Sequence, residues 1–467
     1  MHIVHYSLGF PPFRTGGMTT YCTDLIAEQI RQGNGVCLLW PGRLMGFGVS
    51  CAIRRKNPYT TALGDSMASY ELVNPLPVPL LNGIRDISLF TAPKDKGTFR
   101  RFFRTMRTDV FHVHTLQGLP VEALEVCREL GVRTVFTTHD FFGICSTVSL
   151  KNHGGPCVDD HHCSDCYRCN HEALTRTNLM LIQSDAYRRL KDSLFIRRMR
   201  RANNNKIGGS EPEEETVPDM DGLGVAHAVE YQSLRAYYMR MFGLFDLILG
   251  NSSLTLKTFL RYVKPRNSRV LNVTHQAVTD RRSLHVAHEI LQIGYLGPRM
   301  DSKGYFMLRN ACDVVAGVHP GTFQLKVFFR QGEGERDYLV SGDPYTYDDL
   351  SEVMDGLDVL VVPSTRFETF GFTALEGMSF GVPVIVSASA GAADLVENGC
   401  NGMVVEPTIQ ALAEAIERFV ERPETVAEIS SVICRSFHVL TMREHAENLE
   451  GIYLELIDEG HERSYKC

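Results

Sequence analysis

The sequence predicts an α/β protein with two Rossmann-like domains, each built on a doubly wound parallel sheet, that face a cleft. Short apolar runs rich in β-branched residues recur along the chain, such as Val359 to Val362 and Val382 to Val386. Runs of this composition are typical of buried parallel strands. The chain has 467 residues, about three times the length of one domain, so two or more cores are expected.

We expect the domains to divide the chain after residue 284. The N-terminal domain would span 1–284 and the C-terminal domain 285–467, with the last helix packing back on the N-terminal domain. The N-terminal domain would include a cysteine-rich loop at 145–169 and an insertion at 170–240.

Charge and hydropathy exclude some classes of protein. The formal net charge of -7 and the pI near 6.2 give no sign of a nucleic-acid-binding protein. No run reaches the ~18 apolar residues that a membrane helix needs. The N-terminus enters a strand without a basic and apolar signal segment, so we expect a cytoplasmic protein. The 13 cysteines then indicate reduced thiols or metal ligands, and not disulfides.

The first segment has the pattern of a strand, a glycine-containing loop and a helix. Ile3 to Ser7 reads as the strand, Gly16 and Gly17 lie in the loop, and the helix runs from about Met18 to Arg31. Glycines at the carboxyl end of a strand let the backbone come close to a bound group, where open α/β sheets place their ligands. A tight turn without a ligand is the alternative.

Two more predicted strands, Val110 to Val113 and Thr134 to Thr137, contain or precede histidines. A histidine at the carboxyl end of a strand is positioned for a cleft, whereas one inside a strand belongs to the core. We therefore select His139 as the cleft residue and interpret His112 and His114 as structural.

A cluster of cysteines follows, in which two Cys-x2-Cys steps share Cys166. This spacing matches the thiolate ligands of a closed tetrahedral zinc site, which would fasten a long loop that lacks a core of its own. We predict structural zinc on four of five cysteines, with free thiols, a labile disulfide or an iron–sulfur cluster as alternatives. The five are Cys145, Cys157, Cys163, Cys166 and Cys169.

Two basic segments interleaved with apolar residues each have two interpretations. The segment at 97–107 is either a helix packed on the core with a solvated basic side or a contact with an anionic lipid surface. The segment at 187–206 is either neutralised by the acidic run at 211–221 or makes the same peripheral membrane contact. Between 40 and 87 the chain reads as loop-rich.

The second half of the chain begins a new α/β unit with a strand at Leu291 to Leu296. The loop after it carries Arg299 and Lys303. Because both cations follow the carboxyl end of a strand, they are placed to bind a phosphate, the arginine through two hydrogen bonds and the lysine as a point charge.

The stretch from Val359 to Val386 combines two strands with a loop and a short helix. Gly371 stands where the loop turns into the helix, whose unpaired backbone N–H groups form a seat for an anion such as phosphate. Glu368 in the loop and Glu376 in the helix have seven residues between them and suit the hydroxyl groups of a ligand. A ligand with both phosphate and hydroxyl groups is therefore expected.

Five segments of the chain together resemble the family 4 retaining glycosyltransferases of the GT-B architecture. The most specific is PSTRFETFGFTALEGMSFGVPVIVS at 363–387, which places paired glutamates between two strands. The others are FPPFRTGGM at 10–18, FHVH at 111–114, TTHD at 137–140 and GPRMDSKG at 297–304. The resemblance implies an N-terminal domain for the acceptor and a C-terminal domain for a nucleotide sugar.

The resemblance also implies a donor site. Its residues would be Gly16, Gly17, Arg299, Lys303, Phe370, Gly371, Phe372, Thr373 and Glu376. Arg299 and Lys303 would neutralise the diphosphate, and Glu376 would hold the ribose hydroxyls. The chain departs from the family at Pro298, where many relatives have the phosphate-binding arginine, and at Thr369, which replaces a frequent proline. If Arg299 points away, Lys303 carries more of the charge.

For catalysis, the resemblance implies that Glu368 contacts the transferred sugar and that His139 lies beside this sugar and the acceptor. The reaction would move a hexosyl or N-acetylhexosaminyl group from a UDP- or GDP-linked donor to a glycan or lipid-linked acceptor, with retention and without a catalytic metal. This activity would serve the synthesis of cell-surface polysaccharide or glycoconjugate, in the cytoplasm or at the inner face of the membrane. A nucleotide-sugar epimerase and a non-catalytic sugar-nucleotide-binding protein are the alternatives.

Overall fold

A computed structural model describes residues 1–45, 50–80, 82–152, 155–157, 162–184, 186–187, 221–329 and 336–464. The basic segment at 187–206 and the acidic run at 211–221 lie outside these residues, apart from Tyr187 and Asp221. Their interpretations stay predictions.

The described residues form two compact units. Residues before 188, together with 221–275 and 442–464, make up the first unit, and residues 276–441 make up the second. Helix Met442–Ser464 packs on helix Gly17–Arg31 within the first unit. The domain division predicted after residue 284 stays a prediction.

The first unit is built on a mainly parallel sheet. Its strands are β1 (His2–Tyr6), β2 (Gly35–Pro41), β3 (Ala52–Arg55), β4 (Tyr59–Thr60), β5 (Ser66–Val73), β6 (Val110–Val113), β7 (Arg133–Thr138), β10 (Leu247–Gly250) and β11 (Ser268–Val270), with β8 (Lys151–Asn152) and β9 (Gly155–Pro156) as a separate antiparallel pair. The strand order is β11-β10-β7-β6-β1-β2-β5-β3. Strands β3 and β4 pair antiparallel with β5, so the stretch 40–87, predicted to be loop-rich, contains three strands among its loops. Strands β3 and β4 are short and lack the continuous apolar run that marks the central strands.

The second unit has a sheet of six strands that are all parallel. They are β12 (Leu291–Tyr295), β13 (Phe323–Val327), β14 (Leu339–Ser341), β15 (Val359–Val362), β16 (Val384–Ser387) and β17 (Met403–Val405). The order is β14-β13-β12-β15-β16-β17, which is the order of a doubly wound Rossmann-like sheet. The prediction of parallel-sheet α/β units is confirmed.

Helices connect the strands. In the first unit they are Gly17–Arg31, Ile87–Phe90, Lys96–Met106, Val121–Leu130, Cys166–Cys169, Arg176–Ile182, Asp221–Phe242, Ser253–Leu260 and Met442–Ser464. In the second unit they are Tyr305–Val318, Leu350–Asp355, Phe372–Phe380, Ile409–Glu421 and Glu424–Ser436, with short 3-10 helices at Asp301–Lys303, Tyr347–Asp349 and Gly391–Leu395. None of the helices in the described ranges has the length and apolar character needed to cross a membrane.

Helix Lys96–Met106 shows which side of a basic amphipathic segment faces the core. Phe99, Phe102 and Phe103 are buried, while Arg101 and Arg104 are exposed. The apolar side is therefore packed inside the first unit, as the first of the two interpretations predicts. A lipid contact of this helix would use its basic side alone and stays a prediction.

Replacing Phe136 by alanine is expected to lower the free energy of unfolding by about 3–5 kcal/mol, because it removes a fully buried ring and leaves a cavity. The ring packs on Phe242, Phe245 and Phe259 at centroid distances of 5.2, 5.3 and 6.0 Å. Urea unfolding followed by circular dichroism measures the change. Leu260→Ala is the control, since Leu260 is 46% exposed, and an equal loss in both variants would contradict the expectation.

Candidate functional site

The strand order of the second sheet reverses between β12 and β15, the point at which such sheets place their ligands. The loop after β12 contains Arg299 and Lys303, and the loop after β15 contains Glu368. The two predicted phosphate and sugar loops therefore begin at the same edge of the same sheet.

Lys303 and Glu368 are in direct contact. The Lys303 Nζ donates to Glu368 Oε1 at 2.5 Å, and the Ser364 hydroxyl donates to Glu368 Oε2. The lysine side chain is 41% exposed and the glutamate 19%. The carboxylate is thus held in one orientation by a cation on one oxygen and a buried hydroxyl on the other. Ser364 was not selected from the sequence, because a serine beside a strand end has no distinguishing pattern.

Hydrogen bonds and a close contact also fix the backbone of the two loops. The Glu368 N–H donates to the Ser389 carbonyl oxygen at 2.9 Å, and the Gly391 N–H donates to the Glu368 carbonyl oxygen at 2.9 Å. Gly304 has a φ of 78°, and a Cβ there would lie 1.8 Å from the Pro363 carbonyl oxygen. Only glycine fits this close approach of the Lys303 loop to the strand end before Glu368.

Arg299 lies apart from the Lys303 ion pair. Its guanidinium stands 6.0 Å from the Tyr305 ring centroid and 5.8 Å from that of Phe306. Its Nε is buried, with no hydrogen-bond partner among the described residues. The structure therefore places Arg299 against aromatic rings, and Lys303 is the cation in contact with Glu368.

Helix Phe372–Phe380 begins directly after Gly371, which has a φ of 103°. Gly371 has no side chain to cap this end, and Phe372 and Thr373 in the first turn are partly exposed. The preceding residue, Phe370, is buried, and its carbonyl oxygen accepts from the Ala392 N–H at 2.7 Å. The helix end keeps the N–H groups and the dipole that favour an anion.

Glu376 is a buried carboxylate one turn into this helix, with 5% of the residue exposed. Tyr345 is its neighbour, since burial and the Glu376 carboxylate raise the pKa of the Tyr345 hydroxyl. The Tyr345 ring also packs edge-on against Phe328 at 5.2 Å. The role of Glu376 as an acceptor of hydrogen bonds from ligand hydroxyl groups stays a prediction.

Gly16 and Gly17 lie at the start of a helix in the first unit. Gly16 has a φ of 123° and immediately precedes helix Gly17–Arg31, and both glycines are exposed. Nothing lies within 4 Å of the position that a Gly16 Cβ would occupy. The loop follows β1, at the point where the first sheet reverses its order between β1 and β6.

His139 follows β7 and is partly exposed, whereas His112 and His114 are fully buried. Its Nε2 lies 3.3 Å from His114 Nδ1, and its ring centroid lies 4.6 Å from that of Tyr21. Burial, followed by the nearby His445, lowers the pKa of His139 to about 3. His139 is therefore neutral at pH 7 and acts through hydrogen bonds.

Asp140, next to His139, is fixed by hydrogen bonds. Thr115 Oγ1 donates to its carboxylate at 2.7 Å, Gln117 Nε2 at 2.9 Å, and the Phe142 N–H at 3.0 Å. These bonds lower its pKa, but burial is the larger effect and raises it. The bonds orient the turn that carries His139.

Three of the five cysteines line one small cavity with Arg235. They are Cys145, Cys163 and Cys166. A hydrogen bond with Cys163 and burial raise the pKa of the Cys166 thiol, and Arg235 Nη2 lies 4.0 Å from its sulfur. In the described chain, no three of these sulfurs lie within 4.8 Å of one another, so zinc binding would draw them closer. The zinc site stays a prediction.

The other two cysteines of the cluster are partly exposed. The Cys157 N–H donates to the Leu150 carbonyl oxygen at 2.7 Å, and the Cys169 N–H donates to that of Asp165 at 3.0 Å. Helix Cys166–Cys169 packs on helix Asp221–Phe242. The loop is therefore attached to the first unit through this helix.

Two protein families match the chain. The family described as Glycosyltransferase Family 4 matches residues 15–156, and the family described as Glycosyl transferases group 1 matches residues 308–431. The parallel-sheet units and these matches define the GT-B fold of glycosyltransferases. The chain belongs to glycosyltransferase family 4.

Individual relatives match parts of the chain. It is 34% identical over 122 residues to a sucrose synthase of Acidithiobacillus caldus, a match over 25% of this chain and 15% of the relative. It is 40% identical over 151 residues to an uncharacterised glycosyltransferase of Methanocaldococcus jannaschii, over 28% of this chain and 36% of that protein. The matches thus span well under two thirds of these relatives. The structure of Anabaena HepE in complex with UDP shares the fold, with a TM-score of 0.55, 15% identity, and coverage of 97% of this chain and 100% of HepE.

Purified protein is expected to contain one zinc ion per chain, and Cys166→Ser is expected to lose it, because thiolates are the ligands that a structural zinc site needs. Metal content is measured by mass spectrometry on protein prepared without chelators. Cys434→Ser is the control, since Cys434 lies in the second unit outside the cluster. Wild-type protein without stoichiometric metal would overturn the zinc prediction.

Proposed function

We propose that this protein transfers a hexosyl or N-acetylhexosaminyl group from a nucleotide-diphosphate donor to a glycan or lipid-linked acceptor, with retention of configuration. The observation that carries the proposal is the contact of Lys303 with Glu368 at the reversal point of the second sheet. A cation for phosphate and a fixed carboxylate for hydroxyl groups are the two kinds of group that a nucleotide sugar needs.

Charge stabilisation is the main chemical task in this proposal. When the sugar leaves, negative charge develops on the diphosphate, and a preorganised cation and helix end stabilise it. Lys303 and the start of helix Phe372–Phe380 supply both without a catalytic metal. Arg299, beside Tyr305 and Phe306, would add a second cation to the diphosphate.

Glu368 positions the sugar in the proposed reaction, and the acceptor attacks from the side that the diphosphate leaves. A phosphate oxygen takes the acceptor proton, so that no carboxylate need act as nucleophile. This differs from retaining glycosidases, in which two carboxylates ~5 Å apart flank the bond. In this proposal His139 would contact the reacting sugar, and Gly16 and Gly17 would contact the diphosphate, as the family resemblance implies.

UDP is the first nucleotide to test. HepE, which shares the fold, has been solved with UDP, with UDP and glucose, and with UDP-glucose. Glu376 would hold the ribose hydroxyls, a role that fits its burial at the start of the helix. We further propose that the enzyme works in the cytoplasm or at the inner membrane face, in polysaccharide or glycoconjugate synthesis.

A nucleotide that binds the folded protein is expected to raise its melting temperature, because ligand at about 100 times its Kd adds about 2.7 kcal/mol to the free energy of unfolding. A thermal-shift screen of UDP, GDP and their sugar conjugates measures this. The preferred donor should stabilise more than its competitors, and a protein that none of them stabilises contradicts the proposal. Turnover of donor alone would instead identify an epimerase.

Glu368→Gln is expected to lower kcat by about 100-fold or more and leave the Kd for the nucleotide within about threefold, because the carboxylate acts on the moving sugar. Glu376→Ala is expected to weaken nucleotide binding at least about tenfold, because hydroxyl groups of the ribose lose their acceptor. Product assays and calorimetry give the two constants.

Glu414→Gln is the control for both variants, because Glu414 is exposed on helix Ile409–Glu421. It should match the wild type in kcat and in nucleotide affinity. Wild-type turnover in Glu368→Gln together with wild-type binding in Glu376→Ala would refute the assignment of the two glutamates.

A further inference from the structure

A chain of hydrogen bonds runs from the partly exposed His139 into the core of the first unit. His139 Nε2 lies 3.3 Å from His114 Nδ1, His114 Nε2 lies 2.9 Å from His5 Nδ1, and His5 Nε2 lies 2.7 Å from Gln29 Oε1. His5, His114 and Gln29 are fully buried or nearly so. We propose that Gln29 fixes the tautomer of His139 through His5 and His114, and is thereby a positioning residue for the sugar site. The role of His139 in this inference rests on the proposed function.

The sheet brings these residues together. In the parallel pairing of β1 with β6, His5 lies opposite His112, and His114 directly follows β6. His139 directly follows the neighbouring strand β7, and Gln29 comes from helix Gly17–Arg31, which is the crossover after β1. The rings of His5 and His114 are stacked 5.2 Å apart with an 11° angle between their planes.

All three imidazoles are neutral at pH 7. Burial lowers the pKa of His5 to about 4 and that of His139 to about 3, and it holds the pKa of His114 well below its usual value. Each ring therefore has one N–H and one lone pair. A hydrogen bond between two such rings uses the N–H of one and the lone pair of the other.

Counting protons along the chain gives one arrangement. The Gln29 oxygen can only accept, so the proton of His5 is on Nε2 and its Nδ1 is a lone pair. His114 must then donate from Nε2, which leaves its Nδ1 as a lone pair. His139 must donate from Nε2 in turn. The Nδ1 of His139 consequently carries the lone pair and can only accept a hydrogen bond.

A neighbouring histidine, His112, supplies a control through its partner Thr137, whereas its other partner, Tyr453, also forms a hydrogen bond with Gln29. His112 Nδ1 lies 2.5 Å from the Tyr453 hydroxyl, and His112 Nε2 lies 2.7 Å from Thr137 Oγ1. Losing the Thr137 hydroxyl removes one buried hydrogen bond near the hydrogen-bond chain. The contacts from His139 through His114 and His5 to Gln29 stay in place. Thr137→Val therefore separates a general loss of buried polar contacts from the loss of Gln29.

A metal ion in the same place is the competing explanation for these contacts. His5, Cys22 and His114 bring ligand atoms within 4.8 Å of one another. Two nitrogens on one tetrahedral zinc ion would stand about 3.3 Å apart at normal bond lengths, whereas the facing nitrogens of His5 and His114 are at 2.9 Å, a hydrogen-bond distance. The geometry thus favours the proton chain.

The test is nuclear magnetic resonance of protein labelled with ¹⁵N-histidine, in which two-bond proton–nitrogen correlations show which ring nitrogen of His139 is protonated. Wild-type protein should show the Nε2–H form alone. Gln29→Leu removes the acceptor that ends the chain, and His139 should become a mixture of both tautomers. Gln29→Glu keeps an acceptor-only oxygen and should restore the Nε2–H form, and Thr137→Val should match the wild type.

Kinetics provide the second measurement. Gln29→Leu is expected to lower kcat about tenfold with the KM for the donor within about twofold, and Gln29→Glu to recover most of kcat. A His139 that keeps the Nε2–H form in folded Gln29→Leu overturns the inference, whatever happens to kcat, because Gln29 would then have only a structural role. The tautomer is measured without substrate. A tautomer change in a protein that transfers no sugar would uphold the chain and refute the proposed function alone.

Discussion

The reversal of strand order in each parallel sheet is the constraint from which the candidate site residues take their positions. At this point the crossovers leave on opposite faces, and the loops at the carboxyl ends of two adjacent strands are free to reach a ligand. In the second unit these loops carry Lys303 and Glu368, which are far apart in sequence. In the first unit the corresponding loops follow β1 and β6. The first loop contains Gly16, and the second begins at His114.

The candidate polar residues are charged in the second unit and neutral in the first. In the second, Lys303 and Ser364 each donate a hydrogen bond to one oxygen of Glu368, so an ion pair fixes the carboxylate. In the first, burial keeps His5 and His114 neutral. In a neutral imidazole, one ring nitrogen donates a hydrogen bond and the other accepts one. Which nitrogen donates depends on the next residue in the hydrogen-bond chain.

Sequence patterns predicted helices and strands more completely than they predicted contacts between side chains. The helix predicted to begin after Gly371 spans Phe372–Phe380, and the strand at Val359 to Val362 has its predicted ends, because continuous apolar runs and a glycine boundary are local signals. Strands β3 to β5 were missed because β3 and β4 are short and partly exposed, and because polar residues interrupt the apolar residues of β5. Ser364, His5 and Gln29 were missed as well, since a single polar residue on a strand or helix has no periodic signal of its own.

The sequence by itself determined that the chain makes parallel-sheet units with glycine-containing loops at the strand ends, because burial and backbone preferences act over short stretches. It also identified Lys303, Glu368 and His139 as candidates through the residues around them. Only the tertiary structure decided which side chains meet: Lys303 with Glu368 while Arg299 packs on aromatic rings, and His139 with the buried histidines. Strand order and register bring residues from distant segments within hydrogen-bond distance, and neither can be read from one segment alone.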